Sequence, residues 1–179
     1  GGALHGELEH AQTLVIIGKN PWHSNGFQRA RIVLKEASKD PNRTLIVIDP
    51  KRTESAELAD IHLAVTPGRD AWLLAAIIAA MIQENLVPTD WIAEHTTGYD
   101  DLHAIFSKIS VSDYAEFSGV PEEQVREAAR AIATAESMST YEDIGLEMAP
   151  HSTLSIYLHH LLTPLTGNYG KAGGAARLT

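Results

Sequence analysis

Residues 45–72 read LIVIDPKRTESAELADIHLAVTPGRDAW, and the fold is decided there. An apolar run, Leu45 to Ile48, stops at Asp49-Pro50 and gives way to a basic and hydroxyl cluster, Lys51, Arg52 and Thr53. A short helical turn leads to a second apolar run, Ile61 to Val65, which stops at Pro67-Gly68-Arg69-Asp70, where a long helix starts. Short apolar runs bounded by turn residues are buried strands. Each of these two strands delivers a carboxylate and a loop to the same edge of a sheet. Ligands of open α/β sheets bind outside the carboxyl ends of the strands. The stretch is therefore arranged for a nucleotide-like ligand.

Working outward, Leu14 to Ile17 is another buried strand, stopping at Gly18-Lys19-Asn20-Pro21. Gln28 to Ser38 has a helical apolar pattern, broken by Asp40-Pro41-Asn42-Arg43 before the Leu45 strand. Strand, helix, strand over so short a distance is a βαβ unit with a right-handed crossover. The third strand and a helix from Asp70 to Asn85, with Asp70 as its N-cap, extend the scheme. A helical segment, 86–136, follows: Thr89 to His95, Asp100 to Ile109, a helix opening at a capping Ser112 and stopping at Ser118-Gly119, and one from Pro121 to about Glu136. Ser139 to Ile144 reads as the fourth strand, Ser152 to Leu165 as an apolar helix, and Gly167 to Gly174 as a glycine-rich loop with no closing element. The expectation is one α/β domain over 1–179, a Rossmann-like open parallel sheet of about four strands flanked by helices.

Composition narrows the function. The chain has 179 residues, with 14 Lys and Arg against 23 Asp and Glu, a net charge of −9. Phosphate backbones are bound by basic faces, so a nucleic-acid partner is not expected. Cysteine is absent, which removes disulfides, thiolate metal ligands and an iron–sulfur cluster held by this chain, and suits a cytoplasmic setting. The longest apolar run, Ala71 to Ile82, falls short of the roughly 20 residues that span a bilayer. Neither a secretory leader nor a membrane span is read from the sequence.

The candidate ligand residues each have two readings. Gly18, Lys19 and Asn20 suit a phosphate or pterin edge over a strand end, or form a plain strand-to-helix turn. Asp49 accepts from a ribose or base, or with Pro50 is turn chemistry only. Lys51, Arg52 and Thr53 meet phosphates or are solvated. Gly68 allows close backbone approach, and Asp70 is a ligand group or a helix cap. Three strand ends carrying such residues together favour the ligand reading. The nine histidines show no metal-ligand spacing, and neither a nucleophile elbow nor a phosphate-binding P-loop is present. No self-contained catalytic machinery is visible.

The order of Gly18-Lys19-Asn20-Pro21, DPKRTESAELAD (49–60), HLAVTPGRDAWLLAAIIAAMI (62–82), SDYAEFSGVPEEQVREAARAI (112–132), YEDIGLEMAPHS (141–152) and LTPLTGNYGKAGG (162–174) resembles molybdopterin oxidoreductases of the dimethyl sulfoxide reductase type, formate dehydrogenases and nitrate reductases among them. In that family a large chain holds molybdenum or tungsten between two pterins, each with a guanine dinucleotide tail. The resemblance implies that this chain is part of such a protein and cradles one molybdopterin guanine dinucleotide. Gly18, Lys19 and Asn20 would then lie near the pyrophosphate or pterin. Asp49, Pro50, Lys51, Arg52 and Thr53 would flank the guanosine, and Gly68, Arg69 and Asp70 would complete its pocket. Gly145, Met148 and His151 would approach the metal centre. Arg69 stands where threonine is commoner, and Asp143-Ile144-Gly145 replaces the usual glycine-x-glycine. The family's metal ligand and cluster cysteines come from regions outside this sequence. The resemblance therefore implies a formate dehydrogenase-like cofactor-binding part without turnover of its own, partnered by the remaining domains or subunits. Two alternatives stand beside it: a structural or assembly module of a redox complex, and a free-standing nucleotide-binding protein.

Overall fold

Six β-strands and ten helices organise the described part of the chain, residues 4–177 of a computed structural model. In chain order they are β1 (Leu4–Gly6), β2 (Thr13–Ile17), α1 (Pro21–Ser24), α2 (Ala30–Ala37), β3 (Thr44–Ile48), α3 (Glu54–Glu57), β4 (Ile61–Leu63) and α4 (Asp70–Gln83). Then follow α5 (Thr89–His95), α6 (Tyr99–Phe106), α7 (Val111–Ser118), α8 (Glu122–Ala133), β5 (Met138–Glu142), α9 (Ile144–Glu147), α10 (Ser152–Leu165) and β6 (Ala175–Arg177).

The main sheet has four parallel strands in the order β4-β3-β2-β5. Its register pairs Ile17 with both Ile48 and Glu142. The order runs outward from β2 in one direction and reverses at β5, so the switch point lies between β2 and β5, where doubly wound sheets open a crevice. Both faces are covered, which is why the strands read as unbroken apolar runs. Val15, Ile17, Ile46, Ile48, Leu63 and Met138 face a core with α4, α7, α8 and α10. Leu14, Ile16, Leu45 and Val47 face a smaller one with α2 and Ala56 of α3. The α4 helix is buried along nearly its whole circumference, as a helix surrounded by helices must be.

Several boundaries differ from the sequence reading. Asp70 is the first residue of α4 rather than its N-cap, which is Arg69, because the Thr66–Arg69 turn already ends at Arg69. The capping serine of α7 is Ser110, whose Oγ accepts from the Asp113 N–H at 3.2 Å, not Ser112. The third strand ends at Leu63, and the fourth runs from Met138 to Glu142. The short helices α1 and α9 each sit at a strand exit and carry no periodic signal.

The largest correction concerns the tail. It does close: β6 pairs antiparallel with β1, Leu4 opposite Arg177 and Gly6 opposite Ala175. Asn168, fully buried, prepares this closure. Its Oδ1 accepts from the Met138 N–H at 3.1 Å, and its Nδ2 donates to Oγ1 and the carbonyl of Thr166 at 2.9 and 3.1 Å. The partner strand lies at the far end of the sequence, so no local pattern announces it.

Candidate functional site

The carboxyl ends of β2, β3 and β4 do bring the three candidate loops to one edge of the sheet. At the first, Gly18 has φ +60° and both its backbone groups are engaged: its N–H donates to Ile48 O at 2.9 Å and its carbonyl accepts from the Gly145 N–H at 3.0 Å. A Cβ on Gly18 would stand 2.6 Å from the Leu146 nitrogen, so only glycine permits this contact between backbones. Lys19 forms an ion pair with Asp143, and both are largely buried. The Lys19 ammonium, with the Ile144 N–H, holds the Asp143 carboxyl below the usual range. Asn20 is likewise committed: Oδ1 accepts from Ser55 Oγ at 2.7 Å and Nδ2 donates to Glu54 at 2.9 Å. Glu54 also pairs with His23 at 2.7 Å, and its carboxyl is lowered to about 2, by its own backbone N–H first and these side chains next. The first loop is thereby riveted to α3 on one side and to the β5 exit on the other.

The second loop is more open. Asp49 Oδ1 accepts the Lys51 N–H at 2.8 Å, an Asx turn that uses one carboxylate oxygen. The His62 Nε2–H donates to the Asp49 carbonyl at 2.9 Å and steadies the turn from β4. Pro50, Lys51 and Arg52 are exposed, and among the described residues no ion pair takes up either cation. Thr53 caps α3 through Oγ1, accepting from Ala56 N–H at 3.3 Å.

At the third, Pro67 and Gly68 occupy the central positions of a turn closed by Arg69 N–H to Thr66 O at 3.0 Å, with Gly68 at φ +79° as a type II turn requires. Arg69 turns away toward α7, donating to Phe117 O at 2.6 Å and lying 4.3 Å over the Phe117 ring. Asp70 is 7% exposed, and desolvation raises its carboxyl above the ordinary value. Its own backbone N–H opposes that shift, and the nearby charge of Asp49 adds to it. Two acids from different strand ends therefore share one locality, the inner one poorly solvated and, among the described residues, in no ion pair.

The segment that holds Gly145, Met148 and His151, which the resemblance directs toward the metal centre, forms a roof over this edge. The segment after β5 crosses over it: Gly145 rests on Gly18, and Pro150 lies 3.1 Å from where a Gly68 Cβ would be. His151, at φ +61°, then packs edge-on to Trp72, their ring centroids 5.7 Å apart. The Asp143-Ile144-Gly145 departure was the available signal, since Asp143 supplies the partner for Lys19.

A family model described as molybdopterin oxidoreductase matches residues 3–160. The chain belongs to the molybdopterin oxidoreductase family. Relatives agree. The F420-dependent formate dehydrogenase 2 subunit alpha of Methanococcus maripaludis is 33% identical over 167 residues, 93% of this chain but 24% of that protein. Formate dehydrogenase H of Escherichia coli is 27% identical over 92% of the chain and 23% of its own length. Among solved structures, acetylene hydratase from Pelobacter acetylenicus superposes with a TM-score of 0.85 at 25% identity, covering 99% of this chain and 24% of that one. This member of the family thus spans about a quarter of the length of its relatives.

Proposed function

We propose that this chain binds the guanine dinucleotide half of a molybdopterin cofactor, as one part of a formate dehydrogenase-like molybdenum or tungsten oxidoreductase. The observation that carries the reading is the pairing of Asp49 with the buried Asp70 at the carboxyl edge of the sheet. Two acceptors without a cation suit a ligand edge rich in N–H donors, which guanine presents. Lys51 and Arg52, exposed beside them, suit the diphosphate. The residues present therefore fit the group. Pro50 and Thr53 shape the guanosine side. Gly18, Lys19, Asn20 and Arg69 act mainly as scaffold, since their polar groups are engaged within the protein, and Gly68 supplies the positive φ of the turn before Asp70.

When bound, the cofactor supplies the metal-centred redox chemistry; the protein contributes orientation, charge and exclusion of water. With no metal ligand assigned in this chain, turnover belongs to the parent protein together with its remaining domains or subunits. The internal satisfaction of the first loop favours a second reading, a structural module in a redox complex that no longer holds a nucleotide.

A thermal melt of the 179-residue chain with GDP, set against ADP and NAD, separates the two. A ligand that binds only the folded state at 100 times its Kd adds about 2.7 kcal/mol. Stabilisation by GDP alone, lost in Asp49→Ala, is the expected result. Equal shifts with all three nucleotides, or no shift with any, would remove the guanine assignment.

A further inference from the structure

Two apolar hollows flank α10, and neither is lined by Asp49, Asp70, Lys51 or Arg52 of the nucleotide edge. One, of about 410 Å³, lies between α6 and α10; the other, of about 370 Å³, continues between α10 and the start of α4. Phe106 lines both, so they form one trough. Its walls are helical ridges. On α10, Leu154, Tyr157, Leu161 and Pro164 follow at intervals of three, four and three residues. Across from them, Leu102 and Ile105 of α6 and Ile109 just beyond it follow at three and four. Such intervals mark the stripe that one helix turns toward another. The inner sides of α6 and α10 already rest on α4, whereas Leu154, Tyr157 and Ile105 stay exposed. A patch of this kind marks a contact surface. Two helical ridges with a trough between them accept a third helix, ridges into grooves. The 14 residues of α10 set its length at about 21 Å.

Charge narrows the occupant. The helical segment 86–136 holds ten Asp and Glu against three Lys and Arg. Two of those cations, Arg126 and Arg130, are already taken by Glu84 and Glu122. Asp101 lines the trough, Asp100 joins it in an adjoining hollow, and Asp90 stands exposed nearby at the start of α5. None of these three enters an ion pair among the described residues. The α10 wall carries no Lys, Arg, Asp or Glu at all. The trough is therefore apolar along its walls and acidic at its α6 end. A second copy of this face would set the same acids against one another, which costs affinity; a basic helix would pair with them.

We propose that the trough between α6 and α10 seats an amphipathic helix of the parent protein from outside these 179 residues, apolar toward Ile105 and Tyr157 and bearing lysine or arginine toward Asp100 and Asp101. The relatives, about four times as long as this chain, have the further protein from which such a helix comes. Seated there, it completes a bundle on α4 with α6 and α10 and removes Leu154, Tyr157 and Ile105 from water.

The first test titrates the chain, dilute enough to be monomeric, with a synthetic leucine–lysine amphipathic helix as long as α10 and with its leucine–glutamate counterpart. Calorimetry reads affinity and backbone amide shifts read position. The expected result is binding of the lysine peptide with shifts along α6 and α10, and binding of the glutamate peptide weaker by about tenfold or more. Ile105→Gln with Leu154→Gln, both at exposed positions that the core does not need, should weaken the lysine peptide by about tenfold. Asp100→Asn with Asp101→Asn should bring the two peptides closer in affinity. No binding of the lysine peptide, equal binding of both, or shifts confined to other elements overturns the proposal. The second test is hydroxyl-radical footprinting of Tyr157 in the parent protein. Protection within the single polypeptide, relative to the 179-residue chain, is expected. Oxidation at the same rate in both, with protection only on adding another subunit or at concentrations where copies associate, assigns the trough to a different occupant and overturns it. Neither test involves GDP, so failure here leaves the nucleotide reading standing.

Discussion

Asp70 shows how a single side chain can be costly to the fold and still be retained. Its carboxyl is raised by burial, so the folded chain holds that proton more tightly than the unfolded chain. The sign follows: this group's contribution is complete below the unfolded value near 3.9 and is lost as pH rises through the folded one. Asp70→Asn removes the charge while keeping the shape. It is expected to raise stability at pH 8 by about 1 kcal/mol, with no gain near pH 3, while abolishing the GDP shift. Denaturant melts at the two pH values check the first part and the nucleotide melt the second. The acids were legible from sequence because strand exits are marked by abrupt changes from apolar to turn residues. Their environment was not, because it depends on Pro150 and Gly145, which come from the segment after β5, about 75 or more residues further on.

At the level of elements, β2, β3, β4 and the long helix α4 could be read from local pattern, since each carries its own apolar run. The β1–β6 ribbon could not, since its strands are short and lie at opposite ends of the chain. Asn168 is the hinge of that arrangement. Asn168→Ala leaves the Met138 N–H buried and unpaired, at a cost of about 1–3 kcal/mol. Chemical denaturation should show the loss, and hydrogen exchange should quicken at Gly170 and Ala175, whose backbone bonds depend on that turn. The packing of α10 on β5 gives a pH signature as well. His159 is lowered from 6.5 to about 4 by burial, so the unfolded chain binds its proton first. Stability is therefore expected to fall as pH drops from about 6.5 toward 4, and His159→Gln should flatten that slope in melts taken across the window.

The whole molecule leaves an apolar face uncovered. Ile105, Leu154 and Tyr157 are 62, 50 and 56% exposed, and Ile105 and Tyr157 are joined by Tyr99, Leu102 and Leu161 around one groove between α6 and α10. In relatives about four times longer, a surface of this kind has further protein to pack against. The isolated chain should self-associate at high concentration, and sedimentation velocity of Leu154→Glu with Ile105→Glu should show the monomer restored. The ribbon has a consequence of a different sort. Because β1 and β6 run antiparallel with Leu4 opposite Arg177, the outer ends of these two strands lie side by side. Pulling on those ends would not shear the parallel sheet; it would unzip the ribbon one pair at a time, from Leu4 and Arg177 inward to Gly6 and Ala175. The ribbon is a mechanical fuse, and the nucleotide edge sits beyond it, shielded from load until the last of those pairs has opened.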